Sequence, residues 1–376
     1  MKRMLYVGES IGEENSALFL HSYHMAELFS RVGYEVSLLC GNSKRDEIKK
    51  YGQYEYYLVG HNDNRMNNFR EDLFGSELWQ AFLKRAKEFR PDLVLFYGYG
   101  IERKLIRFCK KKKIKIVIER VDWFSREDRN SLFGKYVYQN LVDYSINRID
   151  LKADGIIAIS PFLYDHFSKT KKEVIMIPPV FSELSPISLD NSDRIRLIYA
   201  GNTSKTKDFV APIIESVLEI NKFNKQFSLD IIGNVPIEEE LRERIQTVDD
   251  SITMHGPLPH EKTVEFFKKA DFGLLLRDNR RYSKAGFSTK FAEMMSYGIP
   301  MICTKVGGAD VLIENQKNGF VVKDNDKDTI KSLLSEISQL NRIEINKMKM
   351  NARKTAEEHF IVNNYIDRLE DFLNSL

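Results

Sequence analysis

Short apolar runs alternate with longer segments of helical period almost throughout the 376-residue chain, and this rhythm constrains the fold more than any other feature. RMLYVG, YEVSLLCG, YEYYLVG, PDLVLFYG, KIVIERVD, DGIIAIS and EVIMIPP are mostly β-branched or aromatic. Each stops at a glycine, a proline or a polar residue, so each reads as a strand. Segments such as SALFLHSYHMAELFSRVG and LWQAFLKRAKEFR lie between them and carry a helical period. Strands joined through helices run parallel, with helices on both faces of the sheet. The rhythm breaks at residues 178–193, PPVFSELSPISLDNSD, where three prolines and four serines show no helical period. It then restarts with IRLIYAG, FSLDIIG, SITMHG, DFGLLL, PMICT and GFVV. The expectation is two doubly wound, Rossmann-like α/β domains, residues 1–180 and 194–359, joined by a linker at 181–193. They would face one another across a deep cleft. Ligands of such sheets bind beyond the carboxyl ends of the strands.

Composition excludes several alternatives. The 57 basic and 54 acidic residues leave a net charge of +3, too little to argue for nucleic-acid binding. Three cysteines, Cys40, Cys109 and Cys303, are far apart and form no CxxC pair, so neither a disulfide framework nor a zinc site is signalled. A reduced, cytoplasmic setting is expected. MKRMLYVGES holds too short an apolar run for a signal peptide, and no run of 18 apolar residues occurs. A soluble protein is expected, with room for contact at a membrane surface. The basic segment 103–115, RKLIRFCKKKKIK, reads either as a solvated helix end or as an attractor of an anionic membrane.

Two stretches suggest anion chemistry. After LIYAG comes GNTSKTKDF, where Gly201, Asn202, Lys205 and Lys207 precede a helix; a glycine turn beside lysines is a plausible phosphate site. In FSTKFAEMMSYGIP, Glu293 is the one carboxylate of an otherwise apolar helix. Ser288 or Thr289 would cap that helix. Lys290 in its first turn opposes the helix dipole unless an anion is near. Glu293, one turn deeper, could accept hydrogen bonds from two adjacent hydroxyls, as on a ribose. Gly307 and Gly308 offer a second close backbone approach. His21 and His24 lie three residues apart on the first helix without a third ligand and do not signal a metal; His255 ends a strand, where it reads at least as well as a structural residue.

With these motifs in view, FSTKFAEMMSYGIPMICTKVGGADVLIENQKNGFVV resembles the nucleotide-sugar signature of glycosyltransferase family 4, retaining enzymes of the GT-B fold. LIYAGNTSKTKDF, HGPLPHEKTVEFFKKADFGLLLR and KADGIIAISPFLYDHF resemble that family's segments in the same order. The likeness covers most of residues 150–325, and the N-terminal half only in architecture. It implies that Glu293 holds the donor ribose, Lys207 the diphosphate, and backbone around Gly307 and Gly308 the donor. It also implies that the last helix, residues 360–376, returns to the N-terminal domain, where the stripe of Phe360, Ile366, Leu369, Phe372 and Leu373 would be covered.

The chain departs from the family at two places. Asn202 stands where an arginine is usual. Ala285 replaces the first glutamate of Glu-Gly-Phe-Gly, a residue that normally helps hold the transferred sugar. Arg277, Arg280, Arg281 and Lys284 are candidate substitutes. In the N-terminal half Gly12, within GESIGEENS, is the candidate for close contact with the donor. Glu119 and Asp122, in ERVDWF, stand nearest the polar position at the cleft edge. Ser288, Thr289, Lys290 and Gly201 complete the donor set, with Lys207, Asp122 and Glu119 as catalytic candidates.

The resulting expectation is sugar transfer from a nucleotide diphosphate to a glycan or lipid-linked acceptor, without a metal or cofactor. Two competing readings stand beside it: a nucleotide-sugar epimerase of the same architecture, and a non-catalytic binding protein.

Overall fold

The structure is a computed structural model and describes residues 1–9, 16–43, 45–60, 76–189, 192–201, 208–223, 225–248 and 250–376. Two compact units emerge, one of Met1–Ser182 with Val362–Leu376, the other of Glu183–Ile361.

In the first unit the strands are β1 (Lys2–Glu9), β2 (Tyr34–Ser43), β3 (Glu47–Tyr51), β4 (Tyr54–Gly60), β5 (Leu93–Tyr97), β6 (Lys115–Arg120), β7 (Gly155–Ala158) and β8 (Glu173–Met176). They form one sheet in the order β3-β4-β2-β1-β5-β6-β7-β8. The central strand β1 is buried on both faces. Met4 and Tyr6 enter one core and Leu5 and Val7 the other, as the two-residue period of a strand requires.

Three expectations change here. The sheet is not wholly parallel, because β3 runs antiparallel to β4 at the edge. Its sequence, EIKKY, is too charged to read as a buried strand, and charge is what an exposed edge carries to avoid further pairing. Nor is the C-terminus one helix. The helix Arg342–His359 ends, a 3-10 turn at Val362–Tyr365 follows, and a new helix runs over Ile366–Ser375. The apolar stripe is thereby divided. Phe360 packs in the second unit against Phe287 and Phe291, with ring centroids 5.8 and 6.3 Å away. Val362, Tyr365, Leu369 and Phe372 join the core of the first unit. Gly155 of β7 makes room for them, since a Cβ there would meet the Phe372 ring.

The segment read as a linker is also divided. Ser182 bonds to His24 and Glu27 of the first unit. Beyond it, the Arg353 guanidinium donates to the Ser185 carbonyl, and Ile187 lies against Gly298.

The second unit holds β9 (Ile195–Ala200), β10 (Phe227–Ile232), β11 (Ile252–Gly256), β12 (Phe272–Leu275), β13 (Met301–Thr304) and β14 (Gly319–Val322). All pairings are parallel, in the order β11-β10-β9-β12-β13-β14. Counted within the unit this is the doubly wound order 3-2-1-4-5-6, which reverses direction between β9 and β12. Beyond the carboxyl ends of those two strands lies the place where such a sheet takes a nucleotide.

Candidate functional site

The helix Thr289–Ser296 lies over this sheet because glycine lets it. A Cβ on Gly273 of β12 would come within 2.5 Å of the Met294 sulfur and 2.6 Å of the Met301 sulfur. Phe291, Ala292, Met294 and Met295 are buried on that side, which leaves Lys290 and Glu293 on the other. Ser288 is the cap; its Oγ accepts the Phe291 N–H at 3.3 Å. Lys290 extends to the end of β9, where its ammonium occupies the space a Cβ on Gly201 would need. The Lys290 and Gly201 of the sequence reading are therefore neighbours at the switch point.

Glu293, one turn deeper, meets a residue the sequence reading did not single out. His260, first residue of the helix His260–Phe267, donates through Nε2 to Glu293 Oε1 at 2.6 Å. The Glu293 side chain is 16% exposed and His260 38%. The hydrogen bond to Glu293 raises the His260 pKa above its usual range, with the charges of Glu293 and Glu261 acting the same way against desolvation. Nothing local in HGPLPHE announces this partnership across 33 residues of sequence.

Arg277, just past β12, is held through its backbone and its Nε. Its N–H donates to Thr304 Oγ1 at 2.9 Å, and the Thr304 hydroxyl returns a bond to the Arg277 carbonyl at 2.7 Å. Its Nε pairs with Asp208 at 2.7 Å, and the other oxygen of Asp208 accepts from Tyr199 Oη at 2.7 Å. Nothing local in the sequence marks Asp208 and Tyr199, which hold the Arg277 side chain; the Tyr199 hydroxyl lies beside Gly201. Arg280 is paired too, with Asp278 at 2.5 Å.

Gly307 and Gly308 both have positive φ, +57° and +82°. A Cβ on Gly307 would strike the Gly286 carbonyl oxygen, so this glycine is required by its neighbour as well as by its turn. Ala285 ends the short helix Arg281–Ala285 and is fully buried. Gly12, Asn202, Lys205 and Lys207 lie outside the described residues.

In the first unit Glu119 is not at an open edge. It is 1% exposed, accepts a hydrogen bond from Tyr6 Oη, and is bonded to His21 Nε2 at 2.6 Å. Burial beside this carboxylate pushes the Tyr6 pKa well up. Glu119 is thus a carboxylate enclosed by two hydrogen-bond partners, not the accessible group that its place in ERVDWF suggests. Asp122 is half-buried, with Tyr99 Oη 3.2 Å from its carbonyl and 3.4 Å from Oδ1.

His24 belongs to another local network. Glu27 is held down to about 2 by hydrogen bonds from His24, Ser182 and Arg31. His255 bonds to Asp230 at 2.7 Å. Among the described residues no group of three or more His, Cys, Asp or Glu could hold a metal ion. The cysteines are buried, and desolvation raises all three thiols, Cys109 to about 12.

What this geometry defines first is a class: two Rossmann-like units, the second with cationic and carboxylate groups at its switch point, which is the GT-B fold. Comparison with known proteins agrees. The family model for Glycosyl transferases group 1 matches residues 180–355, nearly all of them in the second unit. The uncharacterized glycosyltransferase MJ1069 of Methanocaldococcus jannaschii is 23% identical over 333 residues, 79% of this chain and 80% of that protein. WcaL of Escherichia coli, provisionally named a colanic acid biosynthesis glycosyltransferase, is 28% identical over 150 residues. That match takes in 39% of this chain but only 37% of WcaL. Among solved structures, sucrose-phosphate synthase of Thermosynechococcus elongatus superposes with a TM-score of 0.74 at 13% identity, covering 100% of this chain and 98% of its own. HepE of Anabaena, in complex with UDP and glucose, gives 0.71 at 15% identity and covers both chains completely.

Proposed function

We propose that the chain is a retaining glycosyltransferase that moves a sugar from a nucleotide-diphosphate donor to a glycan or lipid-linked acceptor. Its products would be cell-surface polysaccharides or glycoconjugates. One observation carries the reading: a lysine and a carboxylate one turn apart on a capped helix, with the lysine against the glycine that follows β9. On this reading Glu293 accepts the ribose hydroxyls through the oxygen that His260 leaves open. Lys290, the helix N–H groups and Lys207 surround the diphosphate, with Asn202 and Lys205 on the same loop and Thr289 on the same first turn. Gly12, Gly307 and Gly308 bring backbone close to the donor, and Asp122 is the polar group of the acceptor side.

As the bond from the sugar to the phosphate breaks, charge grows on the leaving diphosphate. Fixed cations and N–H dipoles stabilise that growing charge more than the ground state. The complexes of HepE with UDP and with UDP-glucose support a nucleotide diphosphate as donor. The site of action on this reading is the cytoplasmic side of a membrane, touched by the basic residues 103–115.

The test is a thermal-shift screen against nucleotide sugars, followed by a transfer assay with the donor that stabilises the protein. Transfer to an added acceptor is expected. Interconversion of the donor alone, or binding without turnover, would overturn the proposal.

A further inference from the structure

Residues 132–149 of the first unit form a continuous helix in which the π turns Gly134–Tyr138 and Ser145–Ile149 flank the α-helical Gln139–Tyr144. Its inner face, Gln139, Val142, Ser145, Ile146 and Ile149, is buried. The outer face is unusual. Leu132 is 76% exposed, Tyr136 60%, Val137 44%, Leu141 49% and Tyr144 54%. Steps of four, one, four and three residues place all five on one side of the helix. Single exposed apolar residues need no explanation, but five large ones along one side of a helix mark a contact surface.

The charges on this helix are sorted in the same way. The Asp143 carboxylate turns inward, to Trp123 Nε1 at 2.7 Å and Gln139 Nε2 at 2.9 Å. Asp150, at the helix end, is fully buried in its pair with Arg120 at 2.6 Å. Arg148 is exposed and Lys135 half-buried, and neither is in an ion pair among the described residues. The neighbouring helix Glu102–Lys112 is joined to this one by the bond from Ser145 Oγ to Glu102. It adds the exposed Arg103 and Arg107, and the exposed run Lys110–Lys113 continues past its end. An apolar strip with tyrosines, bordered by unpaired cations, complements an anionic lipid surface. It does not complement a second copy of itself, which would bring like charges together. No helix among the described residues is long and apolar enough to cross a membrane, so the contact would lie flat.

We propose that residues 132–148 form an interfacial contact with an anionic phospholipid surface. Leu132, Val137 and Leu141 enter the boundary of the acyl chains. Tyr136 and Tyr144 sit at headgroup level, and Lys135 and Arg148 pair with lipid phosphates. This contact is independent of sugar transfer, since vesicle binding needs neither donor nor turnover.

The experiment is flotation of the full chain with vesicles of phosphatidylglycerol and phosphatidylcholine, and with phosphatidylcholine alone, at low and high salt. Binding to the anionic vesicles at low salt is expected, weakening with salt. The double variant Leu132→Asp/Leu141→Asp should lose about tenfold or more in partitioning. Lys135→Glu/Arg148→Glu should lose a similar factor at low salt. Leu132, Leu141 and Arg148 are exposed and Lys135 is half-buried without an ion pair among the described residues, so the melting temperature of both variants should stay near that of the parent. The proposal is overturned by a parent chain that does not float with anionic vesicles. Equal binding to neutral vesicles, or variants that bind like the parent, would do the same. So would a dimer in solution that the aspartates dissociate while vesicle binding is absent, which would assign the face to a second copy.

Discussion

Glu293→Gln probes the site through two readouts that do not depend on each other. The substitution keeps the shape of the side chain and removes its charge. One carboxylate oxygen is held by His260 at 2.6 Å, and the other has no bond among the described residues. A hydrogen bond to a charged group is worth roughly 1.5–3 kcal/mol. At about 1.4 kcal/mol per decade the donor Kd should rise about tenfold to a hundredfold or more by calorimetry.

The second readout is His260. Its pKa is raised, first by the hydrogen bond to Glu293, so an NMR titration should show it falling back in the variant. The sign for stability follows. A raised folded pKa gives stabilisation that is fully present below the unfolded value of about 6.5 and is lost as pH rises through the folded value. The stability gap between the parent and Glu293→Gln should therefore be largest at about pH 5–6 and shrink above the folded pKa. His260 is 38% exposed, so solvent screening limits that gap to about 0.5–1 kcal/mol. A folded variant with unchanged donor affinity and an unchanged His260 titration would refute the assignment of Glu293.

Three further outcomes are expected. Lys290→Ala and Lys207→Ala should each cut turnover about a hundredfold; if a chelator abolished turnover and a divalent ion restored it, the account of the diphosphate site would be wrong. Gly307→Ala has to combine a φ of +57° with a clash on the Gly286 carbonyl, and should lose about 2 kcal/mol or more in denaturant unfolding, whereas a change within error would show that this turn can relax. Ala285→Glu would bury a carboxylate where the parent side chain is fully enclosed; it should lower stability by about 3 kcal/mol and depress transfer from the native donor, and a variant that melts and reacts like the parent would mean the new side chain escapes to the open site.

The sequence by itself determined the rhythm of strands and helices, because apolar period and stop residues act within a few neighbours. IRLIYAG, DFGLLL and PMICT read as strands for the same local reason that they are strands. It also marked Glu293 as the odd carboxylate of an apolar helix and Ser288 as a possible cap, since both depend only on positions in one element. Tertiary structure decided the partners. His260 reaches Glu293 because the sheet order brings the helix after β11 beside the helix before β13. Asp208 finds Arg277 because β9 and β12 are adjacent, although 69 residues separate the two in sequence. Glu119 looks like an accessible carboxylate in ERVDWF, and only packing reveals Tyr6 and His21 closed over it. The same holds for the break after His359. A helical period runs on through the letters, but Phe360 is claimed by the aromatic cluster of one core and Val362 by the other. Periodicity is a property of consecutive residues, whereas hydrogen bonds and burial between elements depend on distances that only the assembled sheets define.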